Sequence, residues 1–148
     1  MFLSFEERDI NGTKFEKLDS ISDISKTVIK KCEDMIFQFG EIPSATTIFA
    51  GDRVFIAELR LESKDSIMSS YRSVYQFADD VKARIVILSS IIWLQCVGSG
   101  KQGKQEVILV SASGVDGGML LLVTEVTRDS DGKVISLYRN DNSFECLK

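Results

Sequence analysis

Between residues 84 and 128 the chain sets out three strand-length runs that are apolar on both alternating faces. In 84–97 one face carries Ile85, Ile87, Ser89, Ile91 and Trp93. The other carries Val86, Leu88, Ser90, Ile92 and Leu94. In 105–113, Ile108 and Val110 lie opposite Val107 and Leu109; in 118–128, Met119, Leu121 and Val123 lie opposite Leu120, Leu122 and Val126. An antiparallel sheet covered on one side alternates apolar with polar. A sheet apolar on both sides needs cover on both, because large apolar patches are rare on monomers. The most apolar stretch, Ile85 to Val97, is 13 residues long and contains Ser89, Ser90 and Gln95. A bilayer span takes about 20 residues, so a buried strand is the reading.

The connectors 98–103, 113–117 and 128–133 are short and rich in Gly, Ser and Asp. They imply antiparallel neighbours, with 133–139 as a fourth strand and 140–148 as a tail in which Phe144 is anchored.

Upstream the period changes. Ile21, Ile24, Val28, Cys32, Met35, Ile36 and Phe39 recur at three and four residues, which predicts a helix over 22–39. Ser22 or Asp23 caps its start, Gly40 supplies a left-handed stop, and Pro43 blocks continuation. Segments 46–50 and 53–61 read as a hairpin turning at Ala50-Gly51-Asp52-Arg53. A second helix over 64–82 follows from Ile67, Tyr71, Val74, Ala78 and Val81, with Ser63 as its cap. Asp79 and Asp80 oppose the negative end of the helix dipole, so the helix is expected to stop near Ala78. Residues 1–20 carry Phe2, Leu3, Phe5, Ile10, Phe15 and Leu18, too many apolar groups for a free tail. They are expected to form an arm or a short strand. The second sheet face is then covered either by this arm folding across it or by the sheet curling on itself, or else by another copy of the chain or a partner protein.

The expectation is a single α+β domain over residues 1–148. It is an antiparallel sheet of five to six strands with two helices on one face, in the order helix–hairpin–helix–meander. That order is similar to the profilin-like and roadblock/longin arrangement. With Gly40-Glu41-Ile42-Pro43 between helix and hairpin, residues 22–139 resemble a group of uncharacterised small bacterial α+β proteins of helix–GxxP–hairpin–helix–meander layout. The resemblance implies a fold and brings no activity.

The chain contains no His, which removes Ser-His-Asp and Cys-His catalysis and His-ligated metals. Cys32, Cys96 and Cys146 are widely spaced and form no CxxC, so zinc ribbons and thioredoxin-like redox sites are unsupported. Free thiols and an acidic start without a signal-peptide pattern lead to the expectation of a soluble cytoplasmic protein. The sequon Asn11-Gly12-Thr13 then carries no weight. The net charge of −4 disfavours a nucleic-acid partner, and Lys30-Lys31 is offset by Glu33-Asp34.

Asp52 with Glu62-Ser63-Lys64 matches the residue types of a nuclease D…ExK set, in which two carboxylates hold a metal beside a lysine. A solvated hairpin edge explains the same residues. Ser111 to Gly118 lacks the Gly-Lys-Ser/Thr end of a phosphate loop and reads as a turn. So does Asp129-Ser130-Asp131-Gly132, because residue 140 is Asn where a calcium loop needs Glu. Cys32 on the helix stripe reads as a small hydrophobe. No cofactor is expected.

These observations point to a non-enzymatic protein-interaction or regulatory module of the immunity, antitoxin or adaptor kind. It would act through an apolar sheet face or edge, as a homodimer or on a protein partner. Trp93, Tyr138, Leu121 and Val123 are the candidate anchors; for Trp93 alone, core packing is the simpler account. One alternative is a small-molecule or peptide-binding domain with a pocket between helices and sheet. The other is a carboxylate- or metal-dependent hydrolase or nuclease.

Overall fold

A computed structural model describes residues 3–10, 15, 18, 20–95 and 103–146, with side chains for all of these except 95 and 140–146. The readings made for Phe2, the sequon, the turn at 98–102, Cys96 and the side chains of Phe144 and Cys146 lie outside those residues. The described elements are β1 (Glu6–Asp9), α1 (Ile21–Phe39), β2 (Ala45–Ala50), β3 (Arg53–Glu58), α2 (Lys64–Val81), β4 (Ile85–Gln95), β5 (Lys104–Gly114), β6 (Met119–Arg128) and β7 (Val134–Cys146). The strands form one antiparallel sheet of seven in the order β1-β3-β2-β4-β5-β6-β7. Among the described residues no helix is long and apolar enough to cross a membrane.

The α+β class and the antiparallel sheet are as expected from sequence, but the sheet has seven strands instead of five to six. The additional strand is β1, whose four residues Glu-Glu-Arg-Asp have no apolar alternation to announce it. Pairing to β3 makes it a strand, with Glu6 opposite Ile56 and Asp9 opposite Arg53. The supposed tail is also strand: β7 runs on to Cys146, placing Phe144 opposite Leu121. The β6–β7 pairing shifts register between Leu121 and Val123 and again between Thr127 and Arg128.

Helix α1 begins one residue earlier than predicted. Its cap is Ser20, whose Oγ accepts from the Asp23 N–H at 3.0 Å. It ends as expected at Gly40, at φ 82°, whose N–H donates to the Ile36 carbonyl. Helix α2 is capped by Ser63, with Ser63 and Ser66 satisfying each other's backbone N–H groups. It does not stop at Ala78 but runs a further turn to Val81. Exposed carboxylates at that end cost only about 0.3–1 kcal/mol. The turn they occupy contributes Ala78 and Val81 to a core cluster and is closed by the Lys82 N–H on the Ala78 and Asp79 carbonyls.

The helices do not share a face. Ile48 and Phe49 are consecutive in β2 and point to opposite sides. Phe49 packs with Ile24, Ile29 and Ile36 of α1, and Ile48 packs with Val74 and Ala78 of α2. Val54 and Phe55 divide in the same way, as do Ile85 and Val86. The cause is topological. Strands β3 and β4 are parallel with β2 between them, so α2 is a crossover connection. The handedness of such crossovers is nearly invariant, which assigns α2 its face whatever side α1 takes.

Candidate functional site

Each helix covers only part of its face. Helix α1 lies over β4 to β7, chiefly β5 and β6. Two part-buried ion pairs, each with a buried carboxylate, hold it there. The Glu33 carboxylate accepts from Thr124 Oγ1 at 2.6 Å and from the Arg139 guanidinium. Arg128 donates to Glu106 at 2.7 and 3.0 Å and to the carbonyl of Gly40, the α1 cap residue, at 2.8 Å. The hydrogen bonds that Arg128 donates to Glu106 raise its pKa further and keep the group charged. The sequence reading missed both pairs. Their signal was present: Glu106 shares strand parity with Ile108 and Val110, and Arg139 with Leu137. A charge at a core-facing position implies a partner.

Helix α2 lies over β2 on the opposite face, reaching Phe55 of β3 and Val86 of β4. Leu3 and Phe5 extend this cover, with the Phe5 ring stacked on Phe77 at 4.0 Å. The arm therefore does cover the second face, but only at the β3 end. Toward β7 that face has no helix among the described residues.

The uncovered floor follows from the register. Leu109 of β5 stands opposite Val123 and Ser90, Ser111 opposite Leu121 and Leu88, and Glu125 opposite Tyr138. Met119 and Leu94 belong to the same face and are 48% and 42% exposed. One flank of α2 borders this floor at Tyr75. Met68, Tyr71 and Tyr75 form an exposed stripe at helical spacing, and Tyr75 borders Val86 and Ser113 at the β5 end. The opposite flank carries Phe77. The result is a shallow apolar floor with an aromatic wall.

The structure brings three of the four predicted anchors together. Leu121 and Val123 are half-buried in the floor, and Tyr138, 66% exposed, stands beside Glu125 at its edge. Trp93 is not with them. It pairs with Glu106 on the α1 face, at the end of the sheet where Arg128 holds the α1 cap, and is 61% exposed instead of packed in the core.

The nuclease-like set is not assembled. Asp52 lies in the β2–β3 turn, while Glu62 and Lys64 follow the far end of β3, a six-residue strand about 20 Å long. Among the described residues no three His, Cys, Asp or Glu side chains are grouped to hold a metal. The Gly-rich segments are turns, as expected. The Asp116 carboxylate accepts from the Gly118 N–H at 2.9 Å, and that of Asp129 from the Asp131 and Lys133 N–H groups.

The α1 face also has a sparsely covered part, over β3 and β2. A cavity of about 490 Å³ lies there. Val28, Cys32 and Met35 line it from α1, and Thr47, Val54, Ile56 and Ser89 from the sheet. Phe15 forms part of the wall, and Arg8, Asp9 and Lys31 contribute its charged groups. Burial raises the Cys32 thiol pKa, opposed in part by a hydrogen bond with the Ser89 side chain. No protein-family model, curated protein or solved structure matches the chain.

Proposed function

We propose that the protein is an interaction module that docks a protein surface on the open β4–β7 half of the α2 face. A second copy of the chain is the first occupant to test. The observation carrying this reading is the half-buried apolar floor around Leu109, Leu121 and Val123, bordered by the exposed Met119 and Leu94, together with the exposed α2 side chains Met68, Tyr71 and Tyr75. Interfaces favour aromatic and Met anchors and exclude charge from their centre, and Glu125 stands only at the edge of this floor. A specific interface needs about 800 Å² from each partner. An adaptor, immunity or antitoxin role in a reducing cytoplasm agrees with the free Cys32 and the acidic charge.

Light scattering across micromolar concentrations tests the reading. The wild-type chain is expected to be dimeric, and Leu121→Lys with Tyr138→Asp monomeric with an unchanged melting temperature. A wild-type monomer whose Leu109, Leu121 and Val123 methyl groups are fully accessible to a soluble paramagnetic probe in cell extract would overturn it.

A further inference from the structure

The cavity on the α1 face lies across the sheet from the docking floor and is independent of it. Its position follows from the fold. Helix α1 is held over β5 and β6, and among the described residues the sheet over β3 and β2 has Ile10, Phe15 and Leu18 for further cover. The side chains that meet beneath are small: Cys32 from the helix, Thr47 and Ser89 from the sheet. Ile or Leu at these three positions would close the space.

The space is a cleft partly open to solvent, and its volume of about 490 Å³ is the size of a ligand site. Its body is apolar, formed by Val28, Met35, Val54, Ile56 and Phe15. Its charged groups are two cations, Arg8 and Lys31, against one carboxylate, Asp9. Both cations are on exposed positions and remain available to a ligand. Arg8 makes a 3.5 Å surface pair with Glu6, and the Lys31 ammonium lies 6.0 Å from the centre of the Phe15 ring.

We propose that this cavity binds an amphipathic carboxylate of the medium-chain fatty acid class. The alkyl chain lies between α1 and the β2–β3 floor, and the carboxylate is held by Arg8 and Lys31. An apolar body with a charged mouth selects such a molecule over a free anion, which has nothing to place in the interior, and over an amphipathic amine, which the cations repel.

Calorimetric titration of the full chain with decanoate, decanol and decylamine tests the proposal. Decanoate is expected to bind saturably with one-to-one stoichiometry, and decanol about tenfold or more weakly, because it loses the ion pairs with Arg8 and Lys31 at the mouth. Decylamine is expected not to bind. Lys31→Glu should abolish the preference for decanoate over decanol. Ser89→Leu, which fills the cavity, should abolish binding of both, whereas Leu121→Lys on the docking floor should leave both unchanged. If Ser89→Leu does not fold, methanethiosulfonate labelling of Cys32 in the wild-type chain, followed by peptide mass mapping, gives a second measurement. Bound decanoate should slow it about tenfold by occupying the approach to the thiol. Absence of saturable binding would overturn the proposal. So would equal affinity for decanol, loss of binding in Leu121→Lys, or Cys32 labelling indifferent to decanoate.

Discussion

Lys82 closes α2 at φ 57°, the sole non-glycine residue with positive φ among the described residues. A side chain in the left-handed region is destabilising by about 1–2 kcal/mol. Lys82→Gly relieves that strain but loosens the unfolded chain, so a net gain of about 0.5–1 kcal/mol is expected in urea unfolding. A loss would mean that the Lys82 ammonium supports the helix end beside Asp79 and Asp80. Glu33 is the opposite case, a buried charge with its partners in place. Arg139→Met should destabilise by about 3 kcal/mol, because it leaves a carboxylate without its cation. Adding Glu33→Leu and Thr124→Val should restore most of that loss, since the buried charge and the hydroxyl that serves it are then gone together. Thermal melts of the single and triple variants check this.

Among the elements, β1 is held by pairing and charge more than by packing. It is short and charged, features that protect an exposed sheet edge from adding further strands. The Arg53 guanidinium donates to the Glu7 carboxylate across the β1–β3 pair and holds that carboxyl below its usual pKa. A lowered carboxyl stabilises the folded edge above the unfolded value of about 4.3, and this contribution disappears as pH falls through the folded value. Arg53→Ala is therefore expected to speed amide exchange in β1 several-fold at neutral pH with no change in global unfolding. Compared at matched pH, the difference from wild type should vanish in acid below the folded value. A difference that persists there would assign the effect to lost packing of Arg53 on the Phe55 ring, 5.0 Å away.

At the scale of the molecule, cover is diagonal. Helix α1 shields the β4–β7 part of one face and α2 the β2–β3 part of the other. The two remaining quadrants hold the cavity and the docking floor. The pattern separates two kinds of substitution. Leu121 lies in a floor that no helix covers, so Leu121→Lys should alter self-association with little effect on the unfolding midpoint. Leu122, its neighbour, is buried under α1, and Leu122→Lys should unfold the chain. Similar losses from both would place Leu121 in the core and remove the floor as a surface.

The amino-acid sequence by itself determined the elements that have a period or a cap. The stripe from Ile24 to Ile36 and the Gly40 stop defined α1, and Ser63 defined the start of α2. Alternation in 84–97, 105–113 and 118–128 defined three long strands apolar on both faces, and hence two faces in need of cover. These are local consequences of 3.6- and 2-residue periods and of backbone groups that must be capped. What only the tertiary structure decided depends on pairing between distant segments. Strand β1 exists because β3 offers it an edge, and β7 continues to Cys146 because β6 does. The face taken by α2 follows from a crossover over β2, which no local pattern encodes. Three of the four anchors were legible as apolar or aromatic strand residues, but their company was not. Register puts Tyr138 with Leu121 and Val123 and sends Trp93 to the other side. The cavity was illegible for the same reason, since Cys32, Thr47 and Ser89 are small residues that become a gap only when three separate elements meet.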